Sequence, residues 1–106
     1  ARFSYPNYAP YAIMKAAVES LSRYQAQELG NRKIRVNTIA PGAIATDFGG
    51  GAVRDNAELN AMIASTTALG RVGQPDDIGS VVAFLCSDEA KWVNAQRIEV
   101  SGGVHI

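Results

Sequence analysis

The sequence predicts an α/β fold, because short strand-like segments alternate with helical ones. Two segments rich in β-branched residues end at turn residues, whereas the helical segments carry apolar side chains at steps of three and four. Strands separated by helices are typical of a parallel sheet. Two strands are too few for a stable sheet of this kind, which needs cover on both faces, so we expect partner strands from outside this chain.

The first element is a helix predicted over 11–29. Pro10 suits a first helical turn, and the residues after it favour helix. We expect Gly30 and Asn31 to end the helix in the left-handed conformation. A mostly apolar stripe runs along it: Ile13, Ala17, Leu21, Tyr24 and Glu28.

The first strand is predicted over 34–40 and ends at the turn Pro41-Gly42. Residues 43–54 are predicted to form a loop, which we expect to be most mobile at the glycines 49–51. A helix is expected over 56–67.

A connector, residues 70–74, precedes the last helix. That helix begins at Pro75, carries carboxylates in its first turn and fades at 87–88. The last strand is expected over 96–100, where charged and apolar residues alternate as they do at a sheet edge or an interface.

Composition restricts the class of protein. The chain has 106 residues, ten Lys and Arg against ten Asp and Glu, and 47% hydrophobic residues, as globular domains do. A net charge of zero argues against a nucleic-acid or anionic-membrane surface. No apolar stretch reaches the roughly 18–20 residues of a membrane-spanning helix. The single Cys86 excludes an internal disulfide, and no signal-peptide pattern follows Ala1, so we expect a cytoplasmic protein.

Tyr11 and Lys15 are the strongest candidates for chemistry. They lie four residues apart, so a helix places them on one face. An ammonium group beside a phenol favours the phenolate and lowers a phenol pKa that starts at about 10, which allows proton exchange nearer neutral pH. From the spacing alone, a surface lysine that covers an aromatic ring is the commoner arrangement.

The turn after the first strand gives a second candidate. Pro41 and Gly42 follow the carboxyl end of a strand, where open α/β sheets bind ligands. The Thr46 hydroxyl could bond a ligand amide or phosphate, although a local cap or turn is the simpler role. The glycines 49–51 and the helix after them would form either a lid or an ordinary flexible loop.

A set of motifs occurs in order along nearly the whole chain. The segments are Tyr11-Ala-Ile-Met-Lys15, Arg35-Val-Asn-Thr-Ile-Ala-Pro-Gly42 with Thr46, Gly70-Arg-Val-Gly-Gln-Pro-Asp-Asp-Ile78, Val82-Ala-Phe-Leu85, Ser87-Asp-Glu and Glu99-Val-Ser-Gly-Gly103. Through them the sequence resembles the short-chain dehydrogenase/reductase family. Each motif alone is modest, but their ordered combination is highly specific.

The resemblance implies that residues 1–106 are the C-terminal portion of a single Rossmann-type domain, a doubly wound parallel sheet that binds NAD or NADP. About two strands and three helices of that domain would lie in this chain. The complete protein would be an oxidoreductase that transfers hydride between the cofactor and an alcohol or carbonyl substrate. Residues 47–69 would form its variable substrate loop, and a homo-oligomer, either dimer or tetramer, is implied as well.

The resemblance also assigns roles to residues. Tyr11 would be the acid/base, and Lys15 would lower the Tyr11 pKa and bond the nicotinamide ribose, so both would contact the cofactor. The Pro41-Gly42 turn and Ile44 would pack against the nicotinamide. Thr46 would contact its carboxamide or the pyrophosphate.

Some family features are absent from the sequence. The glycine-rich pyrophosphate turn and the Asn-Asn-Ala-Gly segment do not occur. The family serine that orients the substrate would fall just before Ala1, and Ser4 lies too close to Tyr11 to replace it. We therefore expect the isolated chain to bind NAD(P) poorly and to transfer hydride inefficiently. The residue that would separate NAD from NADP is missing too.

Other candidate residues have structural explanations. We expect Cys86 to be a small core residue, Asp76 and Asp77 to cap their helix, Trp92 to pack or join an interface, and His105 to be a solvent or interface residue. No Cys/His constellation predicts a metal site. Three aromatic residues could line a substrate mouth or be buried against missing elements: Phe3, Tyr5 and Tyr8.

Two other functions stay open at the level of sequence. The chain could be a non-catalytic fragment that self-associates through apolar faces that lack strands to cover them. Less favoured is a cofactor-free, hydrolase-like activity that uses Tyr11, Lys15 and a nearby serine.

Overall fold

The computed structural model describes residues 4–106, so the predictions that concern Ala1 and Phe3 lie outside the described residues. The chain divides into two compact units. The first unit comprises the residues up to Thr38 together with Lys91–Arg97, and the second comprises Ile39–Ala90 and Ile98–Ile106.

The first unit is built on helix α1, Ala9–Glu28, which confirms the predicted helix to within two residues. Proline lies in its first turn, where the missing N–H leaves no bond unmade. The predicted ending is wrong. A 3₁₀ turn, Gly30–Arg32, follows the helix, and Lys33 is the residue with a left-handed backbone (φ 62°). The N–H of Lys33 bonds to the Gly30 carbonyl and that of Ile34 to the Leu29 carbonyl, which delays the reversal of the chain.

The apolar stripe of α1 lies on the surface of this chain. Ala26 is the one buried residue of the helix. Ile13, Leu21 and Tyr24 are between 55% and 67% exposed. The predicted amphipathic helix thus presents its apolar side chains outward from the first unit.

The segment before the first strand is held by side chains rather than by a ladder. The N–H of Val36 donates to the Asn94 side chain at 2.9 Å, and the Asn37 side-chain amide donates to the Val93 carbonyl at 3.0 Å. The N–H of Gln96 donates to the Asn37 side-chain oxygen. These bonds involve residues 36 and 37, and the strand that was predicted over 34–40 starts after them, at Thr38.

Strands β1, Thr38–Pro41, and β2, Arg97–Val100, form a two-stranded sheet. The N–H of Thr38 donates to the Gln96 carbonyl and that of Gly42 to the Val100 carbonyl, so both strands run the same way. The sheet confirms the predicted parallel α/β arrangement, and β2 begins one residue later than expected.

The second unit contains three further helices: α2, Ala52–Asp55, α3, Ala57–Ser65, and α4, Pro75–Leu85. Helix α2 is a single turn that begins inside the stretch that was predicted to be a loop. A 3₁₀ turn, Phe48–Gly51, precedes it, and three consecutive glycines there have φ between 63° and 76°, which glycine adopts without a Cβ clash.

Helices α3 and α4 are both slightly shorter than predicted. The Asn56 side chain accepts the N–H of Leu59 and starts α3. The hydroxyls of Thr66 and Thr67 both bond back to the Ile63 carbonyl and end it. At the end of α4, Ser87 bonds through its N–H and its hydroxyl to one helix carbonyl. Among the described residues, few side chains of the second unit are buried: Thr67, Val72, Leu85 and Ala90.

The last residues of the chain pair with the end of the predicted substrate loop. The N–H groups of Ala68 and Leu69 donate to the carbonyls of Gly103 and Gly102 at 3.0 Å. The N–H of His105 donates to the Thr66 carbonyl at the same distance. The two glycines have φ of 66° and 78°, which lets the chain turn back toward the loop. No helix in the described part of the chain is long and apolar enough to cross a membrane.

Candidate active site

Tyr11 and Lys15 lie in the first turns of α1, within the first unit. The Lys15 ammonium nitrogen is 5.3 Å from the centre of the Tyr11 ring, which is a cation–π distance. The predicted shared face is therefore confirmed, and the contact runs through the face of the ring. Both side chains are exposed, Tyr11 by 53%, so a substrate or cofactor can reach the phenol.

An edge-to-face series of tyrosines leads to Tyr11. The ring centres of Tyr8 and Tyr11 are 6.2 Å apart with an interplanar angle of 83°, and those of Tyr5 and Tyr8 are 6.4 Å apart. Such arrangements favour the quadrupoles of both rings. Tyr8 therefore contacts the candidate acid/base directly, and the role of the aromatic entry as a substrate mouth stays a prediction.

In the second unit, the Pro41-Gly42 turn lies close to the end of β2. A Cβ at Gly42 would lie 2.8 Å from the Cα of Ser101, a backbone atom. The N–H of Gly42 also donates to the Val100 carbonyl at 2.9 Å. Only glycine fits this approach, which sets the direction in which the following residues leave the sheet.

Ile44 is held by a contact that the sequence did not predict. The N–H of Gly73 donates to the Ala43 carbonyl, and the N–H of Ala45 donates to the Gly73 carbonyl, both at 2.9 Å. Ile44 and Gly73 thus form an isolated parallel bridge. A Cβ on Gly73 would lie 2.3 Å from the Cδ1 of Ile44. The second glycine of the Gly-Arg-Val-Gly motif is the signal that could have revealed this contact.

Thr46 takes part in a local turn. Its hydroxyl oxygen accepts the N–H of Phe48 at 3.3 Å. This is the simpler role weighed for it from the sequence. A hydroxyl that accepts one bond still carries a hydrogen to donate, so a ligand contact by Thr46 stays a prediction.

Arg71 and Asp77 form a two-bond ion pair beside Ile44. The two Nη atoms of Arg71 lie 2.6 and 2.9 Å from the two carboxylate oxygens of Asp77. Asp77 also accepts the N–H of Gln74 at 2.7 Å, which confirms that it caps α4. The Arg71 hydrogen bonds and then the Gln74 N–H hold the pKa of Asp77 well below its usual range. Both charged side chains border, with Ile44 and Gly73, a cleft of about 140 Å³.

One of the remaining candidates differs from expectation, and two are in line with it. Cys86 is exposed and not a core residue, and it is the residue that follows the last turn of α4. Trp92 is 96% exposed, so it does not pack within this chain, and its role at an interface stays a prediction. His105 is exposed, in line with the expected solvent or interface role. Among residues 4–106, no three His, Cys, Asp or Glu side chains come together as metal ligands would.

Comparison with known proteins places these features in a family. The family profile described as Enoyl-(Acyl carrier protein) reductase matches residues 1–105. The chain is 46% identical over 99 residues to an uncharacterized oxidoreductase of Methylorubrum extorquens, which covers 93% of this chain and 40% of that protein. It is 44% identical over 100 residues to a short-chain type dehydrogenase/reductase of Picea abies, with 92% of this chain and 35% of that protein covered.

Solved structures agree with the sequence relatives. A 3-oxoacyl-[acyl-carrier protein] reductase from Brucella melitensis with bound NAD superposes with a TM-score of 0.78 and 36% identity, over 92% of this chain and 34% of that one. The chain thus spans well under half the length of the proteins that it matches. The fold, the ordered motifs and these matches show that the chain belongs to the short-chain dehydrogenase/reductase family.

Proposed function

We propose that the complete gene product that contains this chain is an NAD- or NADP-dependent oxidoreductase that interconverts an alcohol and a carbonyl compound. The observation that carries the proposal is the contact between Tyr11 and Lys15 on one face of α1, in a chain of this family. The NAD bound to the related Brucella melitensis reductase supports a nicotinamide cofactor.

In this proposal Tyr11 exchanges a proton with the substrate oxygen. In the reducing direction the phenol gives its proton to the carbonyl oxygen while the carbonyl carbon accepts a hydride, and oxidation reverses both transfers. The cofactor, when bound, supplies or takes up that hydride. The charge of Lys15 lies near the ring of Tyr11 and stabilises the phenolate that is left behind.

The segment that follows β1 fits a nicotinamide cofactor. Gly42 and Ile44 are fixed by backbone bonds to β2 and to Gly73, so they would offer a rigid surface to a flat ring. The Thr46 hydroxyl is chemically suited to donate to a carboxamide or phosphate oxygen. We propose that these residues and Pro41 contact the cofactor, and that Lys15 bonds its ribose.

Residues 47–69 are proposed as the substrate loop. Phe48, near its start, and Met62, within α3, are 79% and 58% exposed and give the segment apolar surface for a substrate. The ion pairs that Arg54 makes with Asp47 and Asp55 close the first part of this loop.

The decisive experiment replaces Tyr11 in the complete gene product. Tyr11→Phe removes the proton donor and keeps the ring, so carbonyl reduction should slow by roughly 10²–10⁴-fold. Tyr8→Phe is the matched control, because Tyr8 is an exposed tyrosine in contact with the same ring. Consumption of reduced nicotinamide measures both rates. A Tyr11→Phe variant that turns over like the wild type would overturn the assigned role.

The exposed apolar face of α1 supports a second proposal, that the chain associates with further protein surface, as a homo-oligomer of the complete protein would provide. Met14 and Val18 add exposed apolar area to the stripe described above. If the chain is instead a non-catalytic, self-associating fragment, light scattering of the isolated 106 residues will show an oligomer; a stable monomer contradicts that alternative.

The similarity to oxidoreductases favours hydride transfer over hydrolase-like activity. A cytoplasmic location stays a prediction.

A further inference from the structure

The carboxylate of Asp77 ties together both ends of the connector, residues 70–74. It accepts two bonds from the Arg71 guanidinium and one from the N–H of Gln74. Arg71 additionally donates to the Val72 carbonyl at 3.1 Å, and Val72 is buried. Four bonds thus fix the conformation of a short segment that has no helix or strand of its own.

Capping of α4 does not need the whole of this arrangement. The bond from Gln74 to Asp77 satisfies the free N–H at the start of the helix. The two bonds to Arg71 add nothing to the cap, because they reach backward along the chain to the beginning of the connector. Asp76 lies in the same helical turn and carries the same charge, but the bonds to Arg71 and to the Gln74 N–H are made by Asp77.

The fixed connector in turn holds the residue that is proposed to face the nicotinamide. Gly73 lies between Arg71 and Gln74 and bonds on both sides of Ile44. The side chain of Ile44 lies directly over Gly73, where even a methyl group would collide with it. A shift of the connector therefore moves the backbone and the side chain of Ile44 together.

We propose that Asp77 is a positioning residue for hydride transfer: through Arg71 and Gly73 it holds Ile44 in the place that orients the nicotinamide ring. This inference rests on the proposed function. Hydride transfer depends steeply on orientation, because a displacement of about 1 Å far from the reacting atoms can slow a reaction on the order of a hundredfold. Binding of the rest of the cofactor depends on other contacts, so affinity should change much less than rate.

The test uses the complete gene product with NADH or NADPH and a reducible carbonyl compound. Asp77→Asn removes the ion pair and keeps an oxygen for the Gln74 N–H. Asp76→Asn is the matched control, with the same loss of charge one residue away. Single-turnover hydride transfer per bound cofactor should fall on the order of ten- to a hundredfold in Asp77→Asn and stay at the wild-type rate in the control.

Two further measurements separate positioning from folding. Arg71→Gln leaves the helix cap intact, so it should reproduce the slow hydride transfer even if Asp77→Asn folds poorly. Asp77→Glu retains the charge and should recover part of the rate. A merely structural role would lower the melting temperature and leave the rate per bound cofactor unchanged.

The outcomes are distinct. If the wild type is active, Tyr11→Phe is not, and both Asp77→Asn and Arg71→Gln transfer hydride at the wild-type rate, the positioning role is overturned while the proposed function stands. If the wild type oxidises or reduces nothing with either nicotinamide, the proposed function fails and the inference fails with it.

Discussion

Replacing Gly73 with alanine should destabilise the second unit, and the structure indicates by how much. The new Cβ would lie 2.3 Å from the Ile44 Cδ1 atom and 3.4 Å from the Ala43 carbonyl oxygen. The first distance is impossible, so the Ile44 side chain must leave its rotamer. Inserting a methyl group into such a contact costs about 1–3 kcal/mol of the free energy of unfolding. Loss of glycine flexibility in the unfolded chain offsets about 0.4–1 kcal/mol, so the midpoints of the two ranges leave a net loss of roughly 1.3 kcal/mol.

The colliding atom can be removed separately. Ile44→Val deletes Cδ1, and the next atom, Cγ1, lies at an ordinary 3.7 Å from the new Cβ position. The double variant Gly73→Ala/Ile44→Val should therefore be more stable than the sum of the single variants predicts, by roughly 1 kcal/mol of coupling energy. Gly79→Ala is the control, because Gly79 lies within α4 and has no atom within 4 Å of its Cβ position; this variant should be stabilised.

Urea denaturation of the complete gene product and its variants measures the four free energies of unfolding in this cycle and that of the Gly79→Ala control. An unchanged stability of Gly73→Ala would refute the close contact between Gly73 and Ile44. Strictly additive single and double variants would refute the identity of the colliding atom.

The remaining predictions concern three ion pairs. Because the pKa of Asp77 is lowered in the folded state, its contribution to stability is present at neutral pH and is lost as the pH falls below the ordinary carboxyl value of 3.8. The melting temperature of Asp77→Asn should accordingly fall less steeply in acid than that of Asp76→Asn, and parallel acid profiles would contradict this. Glu19→Gln breaks a 2.9 Å pair with Arg97 whose side chains are only 21% and 30% exposed, so it should cost roughly 1 kcal/mol in urea denaturation. Asp47→Asn, at a side chain that is 94% exposed, should leave the denaturation midpoint unchanged. Equal losses of stability in Glu19→Gln and Asp47→Asn would show that burial does not set the contribution of these ion pairs.

The elements that the sequence predicted well are those with local causes. Helix α1 follows from its composition and the proline in its first turn, and α4 follows from Pro75 and the carboxylates after it. The shared face of Tyr11 and Lys15 is a direct result of helical spacing. Each of these features depends on residues within a few positions of one another.

The features that the sequence did not predict depend on distant residues. The start of β1 is delayed by Asn94, which lies 58 residues from Val36 along the chain. The bridge between Ile44 and Gly73 likewise joins separate segments. The exposure of Cys86 could not be predicted from its being a cysteine, because it depends on where α4 ends.

The pairing of 102–105 with 66–69 has a mechanical consequence for the proposed substrate loop. Its last residues, Thr66, Ala68 and Leu69, are fastened by backbone bonds of 3.0 Å to the segment after β2. The three glycines of the 3₁₀ turn near the other end have left-handed backbones, and the first two are exposed whereas Gly51 is buried. A loop that is hydrogen-bonded at one end and flexible at the other is expected to move about its bonded end, rather than to change shape along its whole length. If the proposed substrate loop opens, we expect it to rotate about a hinge at the end of α3, where the bonded residues stay in place.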